Sequence, residues 1–236
     1  MGYEPMNESW QMAGERHETL GQYVAKTYLW MFAGLLVTFG IALAGYVTGA
    51  ILYVFQVPYA TLALTGLELL TVIWLSARIH KLSVGAARGL FLFYAALNGV
   101  VFSMYFLIFG VVEMVFVFAA TALFFGMMAG VSLIFKLDLS GIRPLLVGGL
   151  LFLILFGLLS MFLNLGSFET VLCYAGIVVF LGFTAYDTTK IRDNYQIFSA
   201  DPELLQKASV FSALQLYLDF INLFLYIICL MNRNRK

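Results

Sequence analysis

Residues 212–231, SALQLYLDFINLFLYIICLM, decide the fold of this chain. The stretch is almost wholly apolar, and a helix needs roughly 20 such residues to cross a bilayer. Asp219 lies near its middle, where a charged side chain costs about 2.5–3.5 kcal/mol on insertion scales. Gln215 and Asn222 lie four residues before and three residues after Asp219, so the three side chains share one helix face. The segment predicts a spanning helix whose polar face is turned towards other helices.

The composition of the whole chain agrees with this prediction. Of its 236 residues, 62% are hydrophobic and 11% are charged, whereas soluble proteins carry about 25% charged residues. Because so few charges cannot cover a water-facing surface, most of the surface must face lipid, and the bilayer is the expected partner. The formal net charge is zero, which leaves no electrostatic case for a nucleic-acid partner. The sequence does not identify membrane-protein partners.

Seven apolar runs are long enough to span a membrane. They are about Ala25–Gly49, Val57–Ile79, Ala87–Phe109, Val112–Phe135, Pro144–Leu163, Phe168–Tyr186 and Val210–Met231. We therefore predict an all-α membrane protein with seven transmembrane helices, six of them surrounding a central seventh. The expected organisation is a polar tail at 1–24, a seven-helix domain at 25–231 and a basic tail at 232–236. We expect Asp187–Lys207 to form a long polar loop.

The basic residues indicate the orientation of the chain. Three connections carry Lys or Arg and three carry neither, in strict alternation; the basic ones hold Arg78, Lys81 and Arg88, then Lys136 and Arg143, then Lys190, Arg192 and Lys207. Basic loops favour the cytoplasm, so this pattern predicts a cytoplasmic N-terminus. The basic C-terminus disagrees, because seven crossings place it outside. Either the earlier loops set the topology or the last helix is re-entrant, and the length of Val210–Met231 favours seven crossings. The short tail without a targeting signal favours a bacterial plasma membrane.

Three acids lie where the membrane is expected. Glu68 is near the middle of the second helix, Asp219 is near the middle of the seventh, and Asp187 closes the sixth. Asp219 must be protonated or paired, and its candidate partners are the basic residues that follow the second helix: Arg78, His80 and Lys81. Asp187 also fits a solvated helix end, and Glu68 also fits a protonated acid bonded to a neighbouring helix. We interpret Glu113 and Glu169, at helix starts, as structural.

The cysteines and glycines carry weaker signals. Cys173 and Cys229 lie inside apolar runs without a CxxC partner, so we expect neither a disulfide nor a zinc site there. Two GxxxG pairs, Gly45 with Gly49 and Gly126 with Gly130, suggest close helix packing.

Two segments carry a family resemblance: GFTAYDTTKI, at the end of the sixth helix, and SALQLYLDFINLFLYI, in the seventh. They resemble the signature stretches of the transmembrane Bax inhibitor motif family. LELLTVIWLSARIHKLS is similar to the family's second helix, and KLDLS to its loop after the fourth. The resemblance implies six helices around a central seventh. It also implies a pH-sensitive calcium leak, with calcium as the transported substrate, no cofactor and no enzymatic activity.

The same resemblance implies roles for individual residues. Asp187 and Asp219 match a hydrogen-bonded aspartate pair that works as a gate with an arginine of the second helix. That arginine matches Arg78, although the neighbouring residues 79–81 leave the register open by a residue or so. Glu68 matches the mid-helix acid, which we expect on the ion path, and the two aspartates are the expected calcium contacts. We hypothesise that Asp187 and Asp219 share one proton and that Arg78 pairs with the remaining charge.

Three other classes compete with a channel. An intramembrane aspartyl protease also uses two membrane aspartates, the first after a tyrosine as in Tyr186–Asp187, but Asp219 lacks a Gly-x-Gly turn and no Pro-Ala-Leu triplet follows it. A zinc hydrolase needs about three His ligands, and the chain has His17 and His80. A membrane regulator that binds other proteins without transporting ions stays open.

Overall fold

The computed structural model describes residues 18–78, 81–135, 139–163 and 166–234, and within these ranges the chain is helical without a β-strand. Its α-helices are α1 Leu20–Val47, α2 Ala50–Gln56, α3 Ala60–Arg78, α4 Val84–Phe135, α5 Arg143–Leu163, α6 Gly166–Phe198 and α7 Pro202–Asn234, with a 3₁₀ turn at Ser140–Ile142 before α5. In the described part, five helices are long and apolar enough to cross a membrane: α1, α4, α5, α6 and α7. The predicted all-α membrane fold is confirmed.

Helix α4 contains two of the predicted spans. It has 52 residues, which at 1.5 Å each extend roughly 78 Å, more than twice a hydrocarbon core of about 30 Å. Gly110 interrupts it with φ 81° and ψ 168°, a conformation that glycine adopts without steric penalty. The two halves of α4 match the third and fourth apolar runs. Helix α3, which has 19 residues, matches the second apolar run.

The prediction of a long loop at Asp187–Lys207 was wrong. Helix α6 continues to Phe198 and α7 begins at Pro202. The Oδ1 atom of Asp201 accepts hydrogen bonds from the backbone N–H groups of Glu203 and Leu204, which satisfies donors at the start of α7. Polar residues here extend the helices beyond the apolar zone instead of ending them. Asp187 therefore lies inside a helix, well before its end.

Helix α7 is the most enclosed of the spanning helices. In its most apolar stretch, 50% is buried inside the protein. The corresponding share in the other four membrane-length helices is 11% to 28%. Aromatic rings of both halves of α4 pack on it, as Phe91 does on Tyr217 and Phe125 on Phe220. Helices α1, α4 and α6 pack directly against α7, whereas α3 packs mainly on α4 and α5 mainly on α6. The bundle is therefore tight on one side of α7 and looser on the other.

Glycines allow close approach between α1 and α4, including at Gly99, which the GxxxG pattern did not indicate. A Cβ atom on Gly99 would lie 2.7 Å from the backbone oxygen of Thr38, so only glycine fits there. Gly45 meets the Cβ atom of Ser103 at 3.2 Å. Gly126 and Gly130 have no such neighbour within 4 Å, so the packing expected from that pair was wrong.

Polar contacts join four helices at the end of the bundle where α1 begins, which we call the near end. The hydroxyl of Tyr195 on α6 donates to the backbone oxygen of Glu18 at 2.7 Å. Arg88 of α4 donates to Gln206 of α7 at 3.2 Å and lies 4.9 Å from the ring centroid of Trp30 on α1. These contacts close one side of the near end.

A disulfide joins α6 and α7 at the opposite, far end of the bundle. Cys173 and Cys229 are bonded, with their Cα atoms 5.8 Å apart, within the usual range for disulfides. Arg233 and Glu169 form an ion pair at the same end. The expectation of unpaired cysteines was wrong, because a separation of 56 residues carries no motif and the pairing arises from the antiparallel packing of the two helices.

The disulfide predicts a simple labelling result. In the purified denatured protein, Cys173 and Cys229 should react with a maleimide only after reduction, and mass spectrometry should then show two labels. In the matched variant Cys173→Ser, the single remaining thiol of Cys229 should react without any reductant. Full labelling of both cysteines in the unreduced wild-type protein contradicts the bond.

Candidate functional site

The structure brings the two aspartates selected from the sequence together. Asp187 on α6 is 7% exposed and Asp219 on α7 is 4% exposed, and their carboxyl groups are hydrogen-bonding neighbours. The Oδ2 atom of Asp219 is buried and has no hydrogen-bond partner among the described residues. A carboxyl oxygen left in this state can accept a proton or bind a cation. Two buried acids therefore meet at the α6–α7 interface.

Contacts on the face of α7 opposite Asp219 determine the direction in which the Asp219 side chain points. The Oγ1 atom of Thr38 on α1 donates to the backbone oxygen of Ala95 on α4 at 2.9 Å, and lies 2.7 Å from the hydroxyl of Tyr217. Two residues along a helix correspond to a rotation of about 200°. When Tyr217 is held between α1 and α4, Asp219 therefore points the opposite way, towards α6.

Helix α6 is held near Asp187 by two similar contacts. Ser132 of α4 donates to the backbone oxygen of Ala185 at 2.8 Å. The hydroxyls of Tyr28 on α1 and Thr188 on α6 lie 3.1 Å apart in a hydrogen bond. These bonds flank Asp187 in sequence, so they fix the backbone from which its carboxyl group projects.

Both acids line a cavity of about 440 Å³ between α3, α5, α6 and α7, which we call the aspartate cavity. Its other polar side chains are Ser76 of α3 and Gln215 and Asn222 of α7, and the remainder of its lining is apolar or aromatic. The Asn222 amide nitrogen donates to the Leu218 carbonyl at 2.8 Å, which leaves the amide oxygen free of that bond. The cavity thus presents carboxyl and amide oxygens, the ligand type that Ca²⁺ takes.

A second cavity of about 440 Å³ adjoins the first, and we call it the basic vestibule. The two cavities share Asp187 and Gln215 together with two phenylalanines, Phe183 and Phe211. The vestibule adds Arg143 of α5 with Lys190 and Asn194 of α6. The positive charges of Arg143 and Lys190 act on the carboxyl group of Asp187. Asp187 therefore lies at the boundary between an acidic, largely apolar cavity and a basic one.

Arg78 is not placed with the aspartates. It is the last residue of α3, is exposed, and lines neither cavity. Ser76, which does line the aspartate cavity, is two residues earlier and so faces about 200° away. His80 lies outside the described residues, and Lys81 is exposed. A role of Arg78 in gating stays a prediction, and the bases that the structure places beside Asp187 are Arg143 and Lys190.

Glu68 lies apart from the aspartate cavity. Its Oε1 atom is buried without a hydrogen-bond partner among the described residues, and its charge acts on Tyr94, Tyr105 and Tyr217. Two of these tyrosines belong to the first half of α4 and the third to the face of α7 opposite Asp219. The acid thus faces a tyrosine-rich region rather than the aspartate pair.

The described residues contain no group of three or more His, Cys, Asp or Glu side chains that could hold a metal ion. The aspartate cavity instead offers two carboxyl groups and amide oxygens from Gln215 and Asn222.

Taken together, the helices and the site define a class of protein: an all-helical integral membrane protein whose most enclosed helix carries a buried acid that faces an acid of the preceding helix. The family described as "Inhibitor of apoptosis-promoting Bax1" matches residues 20–236, from the start of α1 onward. The chain belongs to this Bax inhibitor-1 family.

Curated relatives cover nearly the whole chain. The "Inner membrane protein YbhL" of Escherichia coli (strain K12) is 36% identical over 218 residues, which are 92% of this chain and 93% of the relative. An uncharacterized protein of Deinococcus radiodurans is 34% identical over 222 residues, 92% and 94% of the two chains. An uncharacterized protein of Borreliella burgdorferi is 32% identical over 230 residues, 94% and 97% of the two chains. All three come from bacteria, and the first is named as an inner membrane protein.

Proposed function

We propose that this protein is a pH-sensitive calcium leak channel that contributes to calcium homeostasis, and that its gate is the pair Asp187 and Asp219. The observation that carries the proposal is the meeting of two buried carboxyl groups in the wall of a cavity of about 440 Å³. Membership of the Bax inhibitor-1 family supports it. Calcium is the transported substrate, and the oxygen-rich face of α7 is its contact surface.

The chemistry of the pair connects transport with pH. Two carboxylates in contact repel each other when both are ionised, so near neutral pH the pair holds one shared proton and a single negative charge. Gain or loss of a proton changes that charge to zero or to two. The Oδ2 atom of Asp219 has no hydrogen-bond partner among the described residues. A proton or a calcium ion is therefore stabilised most when it binds at this atom. Proton and calcium therefore compete for one site.

The charge of the pair also acts on the surrounding helices. With one negative charge, the pair attracts a base at the near end, and the resemblance assigns this role to Arg78. A changed proton count alters the attraction, and with it the free-energy difference between closed and open arrangements of the helices around the aspartate cavity. This link makes calcium flux depend on pH.

The pair predicts the loss of pH dependence in single variants. Purified protein in liposomes loaded with a calcium dye should show flux that changes with pH. In Asp187→Asn and in Asp219→Asn, one carboxylate remains without a partner acid to share its proton, so flux should be nearly constant between about pH 6 and 8. Glu203→Gln is the control, because Glu203 is an exposed acid near the start of α7 that lines neither cavity.

The control should keep the wild-type profile. If both Asn variants also keep it, the aspartates are structural and the shared-proton gate is wrong. A folded wild-type protein without calcium flux at any pH points instead to a membrane regulator that does not transport ions.

Glu68 gives a second test of the ion path. We propose that its carboxyl group attracts cations within the membrane, so Glu68→Gln should reduce calcium flux while detergent-solubilised protein keeps its thermal stability. Glu203→Gln is the control, because Glu203 is exposed near the start of α7. Unchanged flux in a stable Glu68→Gln protein assigns Glu68 to the tyrosine-rich core instead.

We further propose that the near end of the bundle faces the cytoplasm of a bacterium and the far end faces outwards. Arg78, Arg88, Arg143 and Lys190 belong to the near end, in agreement with the preference of basic residues for the cytoplasm. Disulfides form in oxidising compartments, and the Cys173–Cys229 bond lies at the far end. The discordant C-terminal Arg233 pairs with Glu169 there, which reduces its effect on the topology.

Cysteine scanning tests this orientation. In a Cys173→Ser, Cys229→Ser background, single cysteines at Gly85 and Ser199 should react with a membrane-impermeant maleimide only after the cell membrane is opened. A cysteine at Gln56, in the short helix α2 at the far end, should react in intact spheroplasts. Reaction of Ser199→Cys from outside reverses the assignment of α6 and α7.

A further inference from the structure

Two bases line the basic vestibule, but their surroundings differ. Lys190 donates to Asp193 on its own helix at 2.7 Å, so part of its charge is already neutralised. Arg143 projects from the first turn of α5, a different helix, and Asp187 is the acid in the lining that they share. Arg143 is thus the cation that can link α5 electrostatically to the aspartate pair.

Helix α5 is the least enclosed of the five membrane-length helices in the described part, because 11% of its most apolar stretch is buried. It packs mainly on α6, where Leu146 and Val179 fill the space beside Gly182 and Gly149. Across the aspartate cavity it faces α7, on which it packs less than on α6. Because α5 packs mainly on one neighbour, a change in the electrostatic attraction at its near end can move it.

We propose that Arg143 is a positioning residue that holds the near end of α5 against α6 and α7 through its attraction to Asp187, and so narrows the passage between the basic vestibule and the aspartate cavity. The proposal rests on the function proposed above and adds a base on α5 to the one on α3 that the resemblance assigns. Arg143 needs no contact with calcium. Its effect comes from its charge and from its place on a separate helix.

The groups around the pair support this assignment. Lys190 and Tyr186 face it from α6, Arg143 from α5 and Tyr28 from α1. From α3 the described contribution is the neutral Ser76. Among these groups, Arg143 is the cation that belongs to a helix other than those carrying the two acids. The link between helices therefore depends on Arg143, whereas Lys190 acts within α6.

The interaction of Arg143 with Asp187 is accessible to solvent from the vestibule, because Arg143 is exposed. Water and salt screen such interactions, and partly exposed ion pairs contribute little each. We therefore expect a modest effect: Arg143→Gln should raise the basal calcium leak by about twofold to fivefold, the factor that such pairs are worth. Arg143→Lys keeps the charge and should restore most of the wild-type leak. High ionic strength should reduce the difference between wild type and Arg143→Gln.

Lys26→Gln is the control, because Lys26 is a base of α1 at the near end that pairs with Glu18 and lines neither cavity. It should leave the leak close to wild type. The double variant Arg143→Gln with Asp187→Asn should show less than the product of the single effects, because both changes remove the same interaction.

A distance measurement separates this proposal from the channel function. Spin labels at Leu145 on α5 and Ser199 between α6 and α7, introduced with the native disulfide intact, report the width of the near end by pulsed electron resonance. Arg143→Gln should lengthen and broaden the distance distribution, and Arg143→Lys and Lys26→Gln should not. If liposomes show no flux but the distances change in this way, the channel function fails and the role of Arg143 holds. If the distances and the leak are unchanged in Arg143→Gln, or if Lys26→Gln has the same effect, the proposal is overturned.

Discussion

The structure depends on one constraint: an acid placed in the apolar middle of α7 must find a partner within the protein. Asp219 meets this requirement by facing Asp187, which fixes the contact between α6 and α7. On the opposite face, Tyr217 bonds with Thr38 and so holds α7 against α1 and α4. The two faces are coupled by the rigidity of the helix, because a rotation that frees Tyr217 also turns Asp219 away from Asp187.

The two ends of the α6–α7 pair are held differently. At the far end, a covalent bond between Cys173 and Cys229 and the ion pair of Arg233 with Glu169 fasten the helices. At the near end, the contacts are hydrogen bonds and charges, which change with protons and salt. Because the far end is covalently fixed, a change in these charges alters the spacing of the helices mainly at the near end. The gate that we propose therefore belongs at the near end, where Asp187 lies.

Much of this fold could be predicted from the sequence, because apolar length and a lone buried acid depend on local composition. The seven runs and the choice of Asp187 and Asp219 required no tertiary information. The polar extension of α6 to Phe198 was mistaken for a loop, since charged residues outside the membrane are equally common in helices and loops. The disulfide and the place of Arg143 could not be predicted, because each depends on which helices become neighbours. Arg143 in particular looked like an ordinary basic loop residue.

The asymmetry around α7 explains why the aspartate pair lies where it does. On the side of α1 and α4, aromatic rings and Gly99 allow close packing, which leaves little room for two carboxyl groups to meet. On the side of α3 and α5, the helices stand away from α7 and leave the aspartate cavity. An acid pair in this wall borders the basic vestibule and the helices that pack least on α7. In the function that we propose, a change in the charge of Asp187 and Asp219 therefore acts on the one side of the described bundle that is loosely packed.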